Sequence, residues 1–205
     1  MTNINFIFTC EGTSDSHLVE HIKKLLILRG AKEVHGEYAD LAALPEKTGL
    51  AVSDKLAAIQ KYYANIDAIF VHRDADNAGI DNRESEIREQ SADCHIITVP
   101  VIPIKNLEAW LLSDRDKIIE TMGSLPPNLP RPSKIEACST CKEILKNHSE
   151  SLANKRQRSK AFYKIRLRLC TDLDPAGPVS GLSSHKRLVG HIDKLIQSRA
   201  EQKCQ

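Results

Sequence analysis

Aromatic side chains are scarce in this chain, 4% of 205 residues with a single tryptophan, so a core has to rest on aliphatic residues. The apolar fraction of 41% is enough to build one. No charge sign dominates. Lysine and arginine exceed aspartate and glutamate by only two, which excludes a polycation, and any contact with nucleic acid must come from a local patch. No apolar run approaches the length needed to span a bilayer. Met1-Thr2-Asn3 lacks a basic leader and the run from Ile4 to Cys10 is interrupted, so no secretory signal is expected and the location expected is cytoplasmic. Internal repeats and low-complexity tracts are absent. The six cysteines are scattered. Cys138-Ser139-Thr140-Cys141 has one pair spacing, but a structural zinc site needs four ligands. Cys170, Cys204, His148 and His185 show no second paired spacing, so zinc is not expected. Cys10, within a strand pattern, reads as a small buried hydrophobe. A length of 205 residues fits one domain, or one with a smaller appended region.

The chain is organised around residues 66–79. Ala68 to Val71 is a short apolar run rich in β-formers and reads as a buried strand. It breaks into Asp74-Ala75-Asp76, followed at Gly79 by a glycine. In extended chain, residues two apart point the same way, so both carboxylates can aim at one point. Such a pair raises one pKa unless a cation neutralises it, and hard oxygen ligands suit Mg²⁺ or Mn²⁺. A solvated acidic turn closing a strand accounts for the same residues.

Asn3 to Cys10 alternates as a first strand, and Glu11-Gly12 follows it directly. A helical pattern then runs from about Ser14 to Gly30, with Leu18, Val19, Ile22, Leu25 and Leu26 on its apolar side. Asp15 lies in its first turn, where it either supports the helix dipole or joins a metal site; the cap is the favoured reading. Further strands are expected at 33–38 and 95–101, with Pro100 and Pro103 placing the latter at a sheet edge or leaving the sheet. Helices are expected at 52–63, 82–90 and from Asn106 to Leu112. In open α/β sheets ligands bind outside the carboxyl ends of the strands, so topology brings Glu11, Asp74 and Asp76 together. Glu108, among Leu107, Ala109, Trp110, Leu111 and Leu112, reads from the sequence alone as a polar-face residue.

At Glu11-Gly12 and Asp74-Ala75-Asp76 the chain resembles the Toprim superfamily, shared by topoisomerases, bacterial primases and OLD-type nucleases. Its signature is Glu-Gly after the first strand and Asp-x-Asp after the third. Residues 99–114, with Leu107-Glu108-Ala109-Trp110-Leu111, are similar to a motif of small stand-alone bacterial Toprim-like proteins found beside phage-defence ATPases. The resemblance covers roughly the first 115 residues. It implies a Toprim-like, Rossmann-like, mostly parallel α/β sheet with helices on both faces, and Glu108 as a buried ligand. It also allows Glu11 to act as general acid/base beside aspartate metal ligands. No tyrosine sits in a context like a topoisomerase nucleophile, and the zinc and polymerase regions of a primase are absent. A haloacid dehalogenase-type phosphatase is set aside because its Asp-x-Asp follows the first strand.

Residues 1–122 form the expected Toprim-like domain. Residues 123–205 are a proline-rich connection, with Pro126, Pro127, Pro130 and Pro132, and a basic helical region packed on the first. Helices are expected at 142–147, 159–169 and 186–196, with a frayed tail from Arg199. Lys155, Arg156, Lys160, Lys164 and Arg166 are either solvated helix faces or, as a cluster, a phosphate-backbone contact. The resulting expectation is a Mg²⁺- or Mn²⁺-dependent nuclease acting on DNA or RNA, an effector in bacterial phage defence, with Glu11, Asp74 and Asp76 catalytic and Glu108 a fourth metal ligand. The other reading is a non-catalytic module that binds metal or nucleotide or docks on an ATPase partner. Self-association is compatible with both.

Overall fold

The computed structural model describes residues 2–202. Four parallel strands form one sheet: β1 (Thr2–Thr9), β2 (Ala31–Tyr38), β3 (Ala68–His72) and β4 (Ile97–Val101), in the order β2-β1-β3-β4. The first and third strands are adjacent, with Phe6 opposite Ala68 and Thr9 opposite Val71. Their carboxyl ends therefore lie side by side, which places Glu11 and Asp74 at one end of the sheet. β4 is an edge strand, as Pro100 requires, since a proline cannot donate to a further strand.

Period-2 alternation decides which helices cover which face. Phe6, Phe8, Ala68, Phe70, Val99 and Val101 share one core with α1 (Leu18–Leu28), α4 (Glu108–Leu111), α5 (Arg115–Met122), α6 (Cys141–Leu152), α7 (Arg158–Asp172) and α8 (Ser183–Gln202). Ile7, Ile69 and Val71 face the other way, onto α2 (Val52–Tyr62) and α3 (Ile80–Gln90). The first core runs without a break from Phe8 through Trp110 to Leu145, Leu169 and Ile192.

Three details depart from the sequence reading. The first helix begins at Leu18, after a short 3-10 turn at Thr13–Asp15, so Asp15 does not cap it. An unanticipated helix, α5, fills 115–122; Asp114 accepts a hydrogen bond from the Lys117 amide at its start, and Gly123 (φ 82°) takes the left-handed conformation at its end. Both residues are ordinary helix start and stop signals. The stretch from 123 to 140 contains no α-helix or strand, in keeping with its prolines. The last helix extends through Gln202, past the point where fraying is expected, and Cys204 lies outside the described residues. No described helix is long and apolar enough to cross a membrane.

Candidate functional site

The carboxyl ends of β1 and β3 carry a compact set of charges around one buried histidine. His72, the last residue of β3, is 2% exposed. Its Nδ1 lies 3.4 Å from Asp15 and its Nε2 lies 3.6 Å from Asp74. Burial pulls its pKa down, against the pull of Asp15, so the ring is neutral at pH 7. Asp74 behaves in the opposite sense. Burial, then the nearby charges of Asp15, Glu108 and Asp76, push its pKa up to about 8. Its Oδ1 is buried without a hydrogen-bond partner. Asp76 is exposed and holds a positive φ of 47°, one of the few non-glycine residues to do so, which turns the chain sharply after the strand.

Arg166 organises the other acids. It comes from α7, is 5% exposed, and ion-pairs with both Asp15 and Glu108; its Nε lies 2.8 Å from Glu108 and it also donates to the Ser14 carbonyl. Burial favours a neutral guanidine, but Asp15 and Glu108 outweigh it and raise the Arg166 pKa further. Burial likewise raises Asp15, yet proximity to His72 and then to Arg166 makes the net shift downward; Arg166 is the permanently charged of the two. Glu108 is 2% exposed, not on a polar helix face. Its neighbours Leu107 to Leu112 are all buried, so no polar face exists in that short helix. Asp15, read from the sequence as a cap, faces this cluster instead.

A second, more exposed network sits beside the first. Arg73 Nε approaches Glu11 at 2.6 Å, and Arg73 also pairs with Glu86 of α3, which Arg83 shares at 2.6 Å. Glu11 is thus on the same edge as Asp74 but is turned towards an arginine.

The expected residues therefore separate into groups. Asp74 and Asp76 both follow β3 at the carboxyl edge, but the chain there is not extended, and the two part: Asp74 is half-buried beside His72, and Asp76, at φ 47°, is exposed; Glu11 is salt-bridged, and Glu108 and Asp15 share Arg166. Among the described residues, no three His, Cys, Asp or Glu side chains are arranged as a ready metal cage. The unpartnered, crowded carboxylate of Asp74 is nonetheless a fit for a hard divalent cation, since that cation would remove the cause of its raised pKa. Arg166, expected among phosphate-binding residues, is enclosed by its two acids. Lys155, Arg156, Lys160 and Lys164 are exposed. Lys160, Lys164 and Arg168 recur every four residues along α7 and line a groove of about 500 Å³ with α5 and α6. Arg166, two residues from Lys164 and from Arg168, projects from the opposite side of the same helix. The cationic stripe consequently faces away from the acids.

Among the described residues, the C-x-x-C pair is not part of any group of three or more His, Cys, Asp or Glu side chains that could hold a metal. Cys141 contacts the Ile135 carbonyl, His148 contacts Ser124, and His185 lies 3.0 Å from His21, deep in the core. His72, Asp15 and Arg166 escaped the sequence reading as a set. The available signals were a histidine ending an apolar strand, immediately before the Asp-x-Asp segment, and an arginine breaking the apolar spacing of α7. No family model, no curated protein and no solved structure matches this chain.

Proposed function

We propose that the chain is a Toprim-like, divalent-metal-dependent hydrolase of nucleic-acid phosphodiesters. The observation that carries this reading is Asp74: a half-buried carboxylate whose Oδ1 is buried and unpartnered, with the charges of Asp15, Glu108 and Asp76 nearby, at the carboxyl edge of a parallel sheet. Asp74 and Asp76, with Glu11 or Glu108, would hold Mg²⁺ or Mn²⁺, which when bound polarises a phosphodiester and activates water. The chain's own groups set the proton inventory. A neutral His72 carries one ring proton, so it can donate towards Asp15 or Asp74 but not both. With Asp15 held ionised by Arg166, the ring proton belongs on Nδ1, which leaves the bare Nε2 3.6 Å from Oδ1 of a protonated Asp74, beyond hydrogen-bond length. Loss of that Asp74 proton frees a carboxylate to act as ligand or base. Arg73 holds Glu11 at the rim, in place for proton transfer if it acts as general acid/base. An effector role in phage defence follows from the motif resemblance.

The test is incubation with plasmid and bulk tRNA in Mn²⁺, Mg²⁺ or chelator, using the wild type and Asp74→Asn. Metal-dependent cleavage by the wild type, lost in the variant, is expected. Cleavage that survives the substitution, or persists in chelator, refutes the reading. One feature favours a second reading, a non-catalytic module docking on an ATPase partner: Arg166 and Arg73 already neutralise Asp15, Glu108 and Glu11 without any metal. In that case neither form cleaves, with or without the ATPase.

A further inference from the structure

Beside the acids, under the loop that precedes α2, lies a cavity of about 260 Å³. Thr9, Cys10, Glu11, Lys55, His72 and Arg73 line its polar part, and Val52 and Val71 form an apolar wall. Lys55 is the unusual member. It is 9% exposed, yet no carboxylate among the described residues forms an ion pair with it. Its ammonium makes one hydrogen bond, 2.8 Å to the Cys10 carbonyl. An ammonium has three donors, and a buried charge is normally paired or neutralised. Burial does lower the Lys55 pKa, while Glu11 pulls it back up. The Arg73 guanidinium adds a second positive group on the same wall, partly exposed and partly committed to Glu11 and Glu86.

We propose that this cavity binds the phosphate group of a nucleotide, with Lys55 as its principal partner, Arg73 as a second, and Val52 and Val71 against the nucleoside. The proposal rests on the hydrolase reading only for the identity of the anion as a nucleic-acid phosphate; the demand for an anion comes from Lys55 itself. A phosphate oxygen could accept from the ammonium beside the Cys10 carbonyl without displacing it, since an ammonium has three donors. The position, at the same sheet edge as Asp74, suits a subsite that holds the phosphate or nucleotide next to the bond acted on. The same chemistry fits a free nucleotide acting as ligand, and chain length separates the two sources.

The experiment is isothermal titration of the full chain in chelator, so that no cleavage contributes. The probes are inorganic phosphate, a 5′-mononucleotide and a short single-stranded oligonucleotide. Saturable phosphate binding is expected, with tighter binding of the mononucleotide. An oligonucleotide that binds more tightly still identifies a strand subsite; one that binds worse than the mononucleotide identifies a free-nucleotide site. Lys55→Met should weaken phosphate at least tenfold. Leu50→Glu is a second variant that cannot disturb packing, since Leu50 is 89% exposed at the cavity mouth. Its added carboxylate should weaken phosphate several-fold even if Lys55→Met does not fold. Absence of saturable binding by the wild type overturns the proposal, as does unchanged affinity in the folded variants. Binding without cleavage would leave this site standing while removing the hydrolase, and cleavage without metal-free binding would do the reverse.

Discussion

Replacing Arg166 by methionine is the sharpest test of how the candidate site is held together. The substitution keeps most of the side chain's apolar volume and removes the one cation between Asp15 and Glu108. Both acids are poorly hydrated, with side chains 14% and 3% exposed. Breaking a buried pair by removing one partner costs about 3–5 kcal/mol, because an unpaired charge stays behind. Here two charges stay behind, so the upper half of that range is expected at pH 7.5. For a chain of this size about 2–4 °C is lost per kcal/mol, which makes a drop in Tm of roughly 8–20 °C. Acid should narrow the gap. Wild-type Asp15 has a lowered pKa, so its contribution is present above the unfolded value and fades as pH falls through the lowered one. In the variant, acid instead lets the stranded Asp15 carboxyl take up a proton. Combining Arg166→Met with Asp15→Asn and Glu108→Gln removes all three charges together and should restore most of the loss. Urea and thermal melts at pH 7.5 and pH 5 measure all of this. A variant within about 1 kcal/mol of wild type at pH 7.5, or a deficit that widens in acid, refutes the reasoning.

Asp74 predicts a pH dependence of opposite sign. A carboxyl whose folded pKa is about 8 binds a proton in the native state that the unfolded state has lost, so stability should fall as pH rises from about 4 to 8 and then level off. Asp74→Asn should flatten that slope and melt higher than wild type at pH 8, and Mg²⁺ should raise the wild-type Tm but not the variant's. Gly36→Ala should destabilise by about 1–3 kcal/mol in urea melts, because a Cβ there would come within 2.2 Å of the buried Phe6 ring. Ser184→Ala leaves the Trp110 indole N–H, now 2.8 Å from the Ser184 hydroxyl, without its partner; about 1–3 kcal/mol should be lost, readable by tryptophan-monitored unfolding. Lys160→Ala and Lys164→Ala should leave stability within about 0.5 kcal/mol of wild type, and if α7 contacts a phosphate backbone each should reduce the salt slope of binding by about one.

The sheet was legible because its signals are local. Alternating Phe6 and Phe8 against Ile7, the continuous apolar run of β3, and Pro100 at the edge each report on their own strand. The edge position of Asp74 follows from strand order alone. The electrostatics were not legible, because they depend on partners distant in sequence. Asp15 looks like a cap to anyone reading its neighbours; only Arg166, 151 residues later, makes it part of a charged cluster. Glu108 shows the same limit. Its apolar neighbours fill every side of a single helical turn, and burial of the acid becomes intelligible only once a cation from α7 is beside it. Arg166 itself was grouped with Lys160 and Lys164 by composition, although helical spacing puts it on the other side of the helix.

The long sequence interval between Asp15 and Arg166 also has a consequence in time. At about 5–20 residues per second, a ribosome exposes the first strand and its acids roughly 8–30 s before α7 is complete. During that interval the parallel strands can pair, but Asp15 and Glu108 have no cation and α1 has no cover from α7. Contacts of such long range form late, after the ordering entropy of the intervening chain has been met. The charge pattern around His72 is therefore a property of the finished molecule. A nascent or partly unfolded chain would present the same acids without Arg166, and could not hold the proton arrangement that the mature site holds.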